Sequence, residues 1–349
     1  MKLASFNKFE DVSILDWNFL EPATFLTSKD IELQALKYYN AKRLNVGRLE
    51  ELTGVETRGV FNEKTMPSSI AAKSSQPIIS RNNKDEIDLL IYAGVSRDQL
   101  EPSTACRVHH LLELEPNCES YDVSNACLGM ITATNVAAKM IEAGVVRTAL
   151  ICSAENSYHI IRDTLEELNL NIPSRQEAKK LLTSLTLGSG GFSWLLGRKT
   201  SQAKANLSFI SNHTSSGLFN LCVGDGTREK MWMRTDSTAL LKEGLESGVQ
   251  HWNFLKSKTN WMSEFKEIYF HQVGKQFSSS FADRLGLTDL NIFNTFKHYG
   301  NMGSISLPYT FMKGAELKNK EYSELYKSLL IGIGSGLNTT ALGVEVLPQ

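Results

Sequence analysis

Short apolar runs rich in Ile, Leu and Val alternate along the chain with longer segments of helical period, a pattern that predicts an α/β layered architecture. DLLIYAGV (88–95) and TALICSAE (148–155) read as buried strands. NVAAKMIEAG (135–144) reads as a helix ended by Gly144. The second half uses a similar vocabulary. EIYFHQVG (267–274) is a buried strand running into a polar loop, NIFNTFKHYGN (291–301) leads into another helix, and SLLIGIGSG (328–336) is a strand ending in glycines. The halves read as one design used twice: strand, loop, second strand, buried helix, third strand. The helix starts near Cys127 in the first half and near Asn301 in the second. Such a duplication brings corresponding helix N-termini toward a shared axis. The polar segment RKTSQAKANL (198–207) suits the connection, dividing the chain into 1–200 with the nucleophile and 201–349 with His and Asn. Charge-rich 158–185 reads as helical excursions over the core, of the kind that shape the mouth of a pocket.

Composition narrows the function classes. A chain of 349 residues is long enough for a large core and roughly two domains or fused halves. Lys plus Arg number 37 against 38 Asp plus Glu, so no global basic field exists to hold nucleic acid or an anionic membrane. Local basic patches for a phosphate-bearing ligand remain open. No run of about 18 apolar residues occurs, so no membrane span is expected. MKLASFNKFEDVSILDWNF is broken by acidic residues and is not read as a signal peptide. The cysteines at 106, 118, 127, 152 and 222 form no CxxC pair and no ligand-like spacing with histidine. These features predict a reduced, cytoplasmic chain with neither a disulfide framework nor a zinc site.

Candidate chemistry centres on YDVSNACLGM (121–130), where Cys127 sits between an extended segment and a small-residue helix. A helix N-terminus favours thiolate and lowers the cysteine pKa; the alternative is a small buried cysteine packing against a sheet. Cys152, inside a strand pattern, fits that alternative better, and Cys106, Cys118 and Cys222 lack comparable context. His271 closes the run IYF at the rim of a sheet, where it can handle a proton or simply support the structure. Asn301, in KHYGNMGSIS, serves either chemistry or helix capping. GIGSGLN (332–338) can aim backbone N–H groups at an oxyanion, but lacks the GxGxxG order of a dinucleotide site.

Together, Cys127 in DVSNACLGM, His271 in HQVG, Asn301 in YGNMGSIS, LTLGSGG (185–191) and GIGSGLN resemble the thiolase superfamily, specifically its ketoacyl synthase III branch, over nearly the whole chain. The resemblance implies duplicated α-β-α-β-α halves, a homodimer and acyl transfer through an acyl-cysteine. It makes Cys127 the nucleophile, His271 and Asn301 the hydrogen-bonding pair, and Cys127 and Ser335 the oxyanion hole. It implies neither a metal nor a nucleotide redox cofactor.

The stretch GVSRDQLEPSTACRVHH (94–110) resembles the family members that condense two long-chain acyl-CoAs in olefin biosynthesis, including a glutamate 26 residues before the cysteine. Without that resemblance it reads as a solvated helix start, with Pro102 in the first turn. With it, Glu101 is the base that removes an alpha proton, acting across the homodimer in the partner's site. The implied product is a 2-alkyl-3-ketoacid, passed to downstream olefin-pathway enzymes. Decarboxylative condensation with malonyl-ACP, acyl transfer to oxygen or nitrogen, and an idle acyl-binding subunit are the alternatives. The chain departs from the family at Tyr299, where a histidine is usual, and at Leu52, where an arginine often meets CoA. Arg58 is either a contact to a CoA phosphate or a surface arginine.

Overall fold

The buried runs read from the sequence form the parallel strands of one large sheet. The computed structural model describes residues 3–227, 229–275, 277–287 and 292–348. Its strands are β1 (Ser5–Lys8), β2 (Ser13–Leu20), β3 (Thr24–Thr27), β4 (Thr57–Val60), β5 (Ile87–Tyr92), β6 (Glu119–Asp122), β7 (Thr148–Glu155) and β8 (Gly190–Gly197). They continue as β9 (Ala205–Thr214), β10 (Cys222–Gly226), β11 (Met231–Thr235), β12 (Glu267–Phe270), β13 (Tyr326–Gly334) and β14 (Asn338–Val346). The large sheet runs β12-β13-β14-β9-β2-β8-β7-β5-β6, with β1 added beside β9. Outward from β2, the first half steps antiparallel to β8 and β7, then parallel to β5 and β6. Outward from β9, the second half steps antiparallel to β14 and β13, then parallel to β12. The halves therefore repeat the same pairing scheme, joined where Ser13 and Ile14 of β2 meet Asn206 and Ala205 of β9.

The helices that cover this sheet are α1 (Pro67–Arg81), α2 (Thr104–Leu111), α3 (Gly129–Glu142), α4 (Tyr158–Asn171), α5 (Arg175–Leu181), α6 (Ser237–Lys256), α7 (Phe277–Leu285) and α8 (Ser306–Lys318). Strand alternation assigns the layers. Leu89 and Ile91 of β5 face Ile131, Ala137 and Phe311 of the paired helices α3 and α8, whereas Leu90 and Tyr92 face Ile70 of α1 and Val108 of α2. In the second half Leu330 and Leu342 join the α3/α8 core, while Leu329, Ile331 and Ala341 pack under α6 and α7. The result is five layers, α-β-α-β-α, with α3 and α8 at the centre. Because both faces of the sheet are covered, β7 and β8 are buried along nearly their whole length.

Three expectations change. Among the described residues β6 has no counterpart strand in the second half: residues 292–295 are irregular, Asn291 lies outside the described residues, and Phe296–Tyr299 is a single helical turn. The connection is shorter than 198–207, since β9 begins at Ala205. Pro102 precedes α2 rather than opening it, for Ser103 is the cap and its hydroxyl accepts from Cys106 N–H at 3.2 Å. Among the described residues no helix is long and apolar enough to cross a membrane.

Candidate active site

In each half the candidate residues follow the carboxyl ends of parallel strands, the edge where open α/β sheets hold their ligands. Cys127 follows β6, His271 follows β12 and Ser335 follows β13. The short 3-10 turns that precede the two central helices, Ala126–Leu128 and Gly303–Ile305, pack against each other and bring the halves' chemistry together.

Cys127 is half-buried in the first of these turns, beside Ala126, whose φ of 45° lies in the left-handed region. The turn is tied to GIGSGLN: Asn338 donates to Asn125 Oδ1 at 3.0 Å, and Asn125 donates to Thr132 Oγ1 at 2.8 Å. The Asn301 side chain donates to the Cys127 thiol, which favours thiolate. Burial acts the other way and prevails, aided by nearby Cys222 and Glu155, and the thiol is pushed up to about 12. This corrects the lowered pKa expected from the helix N-terminus. A helix end contributes about 0.3–1 kcal/mol, less than about one pK unit, whereas burial shifts a group by up to roughly 3–5 units. Cys127 in the resting chain is therefore a neutral thiol at pH 7. Alkylation of Cys127 by iodoacetamide should accelerate roughly tenfold per pH unit well past pH 9; a plateau near pH 7 would show a thiolate already present.

His271 is 1% exposed, and neither ring nitrogen has a hydrogen-bond partner among the described residues. Burial pulls its pKa down to about 4, leaving an uncharged imidazole that can donate one hydrogen bond at neutral pH. Its backbone N–H bonds Ile331 O at 2.8 Å, which fixes the end of β12 beside β13. The next residue, Gln272, donates to Phe293 O at 2.6 Å and accepts from the N–H groups of Thr295 and Phe296 at 3.1 and 2.9 Å. It thereby ties the histidine loop to the segment carrying Asn301, a role the sequence reading missed.

Asn301 is not the cap residue of α8 or of the 3-10 turn before it, yet its side chain organises that turn. Its Oδ1 accepts from Gly303 N–H at 3.0 Å and from the Ser306 hydroxyl at 3.3 Å, organising the turn before α8, while its amide faces the thiol. Gly300 precedes it at φ 67°, where a Cβ would collide with Thr186 O. Tyr299, at the usual histidine position, points elsewhere and donates to Glu21 at 2.6 Å.

The remaining candidates divide. Ser335 stands in the β13–β14 turn, and the preceding Gly334 lies against Leu128, the neighbour of Cys127. Glu101 is exposed on the arm between β5 and α2, next to Leu100, which is 91% exposed. Arg58 is corrected: it is fully buried, its guanidinium donating to the Ser28 hydroxyl at 2.9 Å and reaching Leu26 O at 3.4 Å. It supports the strand pair β3–β4 and meets Gly300 from below, so it is neither a surface arginine nor open to a phosphate. Leu52 is exposed. Cys152 is fully buried, as its strand pattern implied.

A thiol with an amide partner, a neutral histidine with no hydrogen-bond partner among the described residues and a glycine turn, set on duplicated halves that together form five layers, make a site of the thiolase-fold class suited to acyl transfer. Comparison with known proteins bears out the fold class and the kind of enzyme. Residues 121–214 match 3-oxoacyl-(acyl-carrier-protein (ACP)) synthase III, and residues 257–346 match the C-terminal part of the same synthase. The chain belongs to the thiolase superfamily, in its ketoacyl synthase III branch, and is an enzyme.

Its relatives include the acyl-CoA:acyl-CoA alkyltransferases of Shewanella oneidensis (29% identical, spanning 92% of this chain and 94% of the relative) and Xanthomonas campestris (29%, 95% and 97%). The Aliarcobacter butzleri beta-ketoacyl-(acyl-carrier-protein) synthase III is 27% identical over 75% of this chain and 80% of its own. Cerulenin-bound OleA of Xanthomonas campestris superposes with a TM-score of 0.90 at 28% identity, over 97% of this chain and 98% of that one. Further solved forms of that OleA replace a glutamate and a cysteine 26 residues apart, and one carries bound lauric acid and lauroyl-CoA.

Proposed function

We propose that this enzyme joins two long-chain acyl-CoAs by a Claisen condensation without decarboxylation, giving a 2-alkyl-3-ketoacid. The observation that carries the reading is the spacing of Glu101 and Cys127, 26 residues, which matches the glutamate and cysteine replaced in solved OleA. The likeness to two acyl-CoA:acyl-CoA alkyltransferases over more than nine-tenths of the chain supports it.

Cys127 sulfur attacks the first thioester carbonyl as its own proton is lost, the backbone N–H groups of Cys127 and Ser335 hold the oxyanion, and CoA leaves with the proton. The acyl group stays on sulfur. Glu101 of the partner subunit removes an alpha proton from the second acyl-CoA, while His271 and Asn301 donate to its thioester oxygen. The enolate carbon bonds to the acyl carbonyl, the Cys127 C–S bond breaks, and the sulfur recovers a proton. Hydrolysis of the remaining thioester then releases CoA and the ketoacid. Glu101 is exposed in the single chain, which suits a residue that reaches a site on a second subunit.

Decarboxylation of malonyl-ACP is the second reading, favoured by the match to synthase III. Incubation with myristoyl-CoA alone should release CoA and yield the ketoacid, and a parallel incubation with malonyl-ACP added should form no carbon dioxide. Turnover only when malonyl-ACP is present would replace the first reading with the second.

A further inference from the structure

Glu155 ends β7 inside the site region, 6% exposed, and the mechanism gives it no task. Five donors converge on its carboxylate. Val95 N–H reaches Oε1 at 2.9 Å, and Ser96 gives its N–H and its hydroxyl to Oε2, both at 3.0 Å. From the opposite half, the Ser304 hydroxyl and N–H reach Oε1 at 3.1 and 3.4 Å. The first group belongs to the loop leading from β5 into the Glu101 arm, and the second to the turn following Asn301. Gly303 closes the arrangement: at φ 53°, its Cβ position lies only 2.8 Å from Glu155 Oε1, so the turn can approach only where no side chain intervenes.

We infer that Glu155 is a positioning residue for condensation, a clamp that fixes the Asn301 turn of its own site and the arm that carries Glu101. The inference rests on the proposed function for its second part only, since Asn301 serves condensation with either donor. A carboxylate is required because every group aimed at it is a hydrogen donor. A glutamine would turn an N–H₂ toward two of them, leaving buried donors unmatched. Cys127 acylation rests chiefly on the thiol and the backbone oxyanion donors; Glu155→Gln acts on the thiol in two opposing ways, loosening the Asn301 hydrogen bond that favours thiolate and removing the nearby Glu155 charge that disfavours it, so loss of the clamp bears mainly on condensation. A purely structural role would depress both together.

The test compares wild type, Glu155→Gln and Ser96→Ala. Acylation of Cys127 by myristoyl-CoA is followed by intact mass, and condensation by product formation. Ser96 is only half-buried, so its variant keeps the fold if Glu155→Gln does not. Glu155→Gln should acylate at a rate within about threefold of wild type, keep its KM for acyl-CoA, and condense roughly a hundredfold more slowly, the usual result of a misplaced reacting group. Ser96→Ala should show the same split at a smaller size. Condensation at the wild-type rate in both variants, or acylation falling in step with condensation, would overturn the inference. If wild type condenses only malonyl-ACP, the acyl-CoA reading has failed, and the same comparison with malonyl-ACP still judges Glu155 through the Asn301 turn.

Discussion

Cys127→Ala should leave a folded protein that forms no acyl adduct and turns over about 10⁴-fold more slowly, or less, as removal of a covalent nucleophile generally does. The loss is large because no neighbour can substitute. Cys152 is fully buried within β7, Cys118 is buried with its thiol pushed up to about 11, and Cys106 is exposed on α2. Cys222 lies near Cys127 but accepts a hydrogen bond from Thr235 at 3.3 Å and is held in the β10–β11 hairpin. The fold should tolerate the change, since the Asn301 turn is also held through Gly303 and Ser306. Intact mass after incubation with myristoyl-CoA checks both points: an adduct on wild type, and none on the variant. An adduct on Cys127→Ala would move the nucleophile to another residue.

Glu101→Ala should retain that adduct and lose condensation by roughly 10²- to 10⁴-fold, the range for removing a general base. The geometry also sets a test of the trans arrangement. Glu101→Ala and Cys127→Ala subunits, each inactive in condensation alone, should regain activity when mixed and refolded together. One site of the mixed dimer then receives Cys127 from one chain and Glu101 from the other. A base acting within its own subunit would give no recovery, because neither chain carries both groups. Loss of acylation in Glu101→Ala would instead mean that the glutamate shapes the site.

Most of the parallel core was legible in the sequence because it is written in uninterrupted apolar runs: TALICSAE coincides with β7, and SLLIGIG lies within β13. The repeat was legible too, through the paired turns at Cys127 and Asn301, but the irregular course of 292–295 was not. NIF has the composition of a strand, yet 292–295 is drawn into a loop by the Gln272 side chain, a long-range contact with no local signature. Cys127, His271 and Asn301 stood out in the sequence because each was read at the edge of a sheet element; His271 does follow β12, whereas Asn301 follows the helical turn Phe296–Tyr299. The ionisation of Cys127 and His271 was not legible, since a helix-end argument sees only the local dipole, whereas burial of the Cys127 thiol and the His271 ring depends on the packing of both halves. Arg58 misled for the same reason: an arginine after a polar turn looks exposed, and only the pairing of β3 with β4 covers it. Glu155 read as the last residue of an apolar strand, and the five donors that give it meaning come from segments about 60 and 150 residues away.

The central claim is that Cys127 carries one acyl chain while Glu101 makes a carbon nucleophile of a second acyl-CoA. Competition between donors tests it most directly: uniformly ¹³C-labelled myristoyl-CoA and unlabelled malonyl-ACP are supplied together, and the product is weighed. The account predicts a ketoacid built from two labelled chains; a product with one labelled chain extended by an unlabelled two-carbon unit would contradict it.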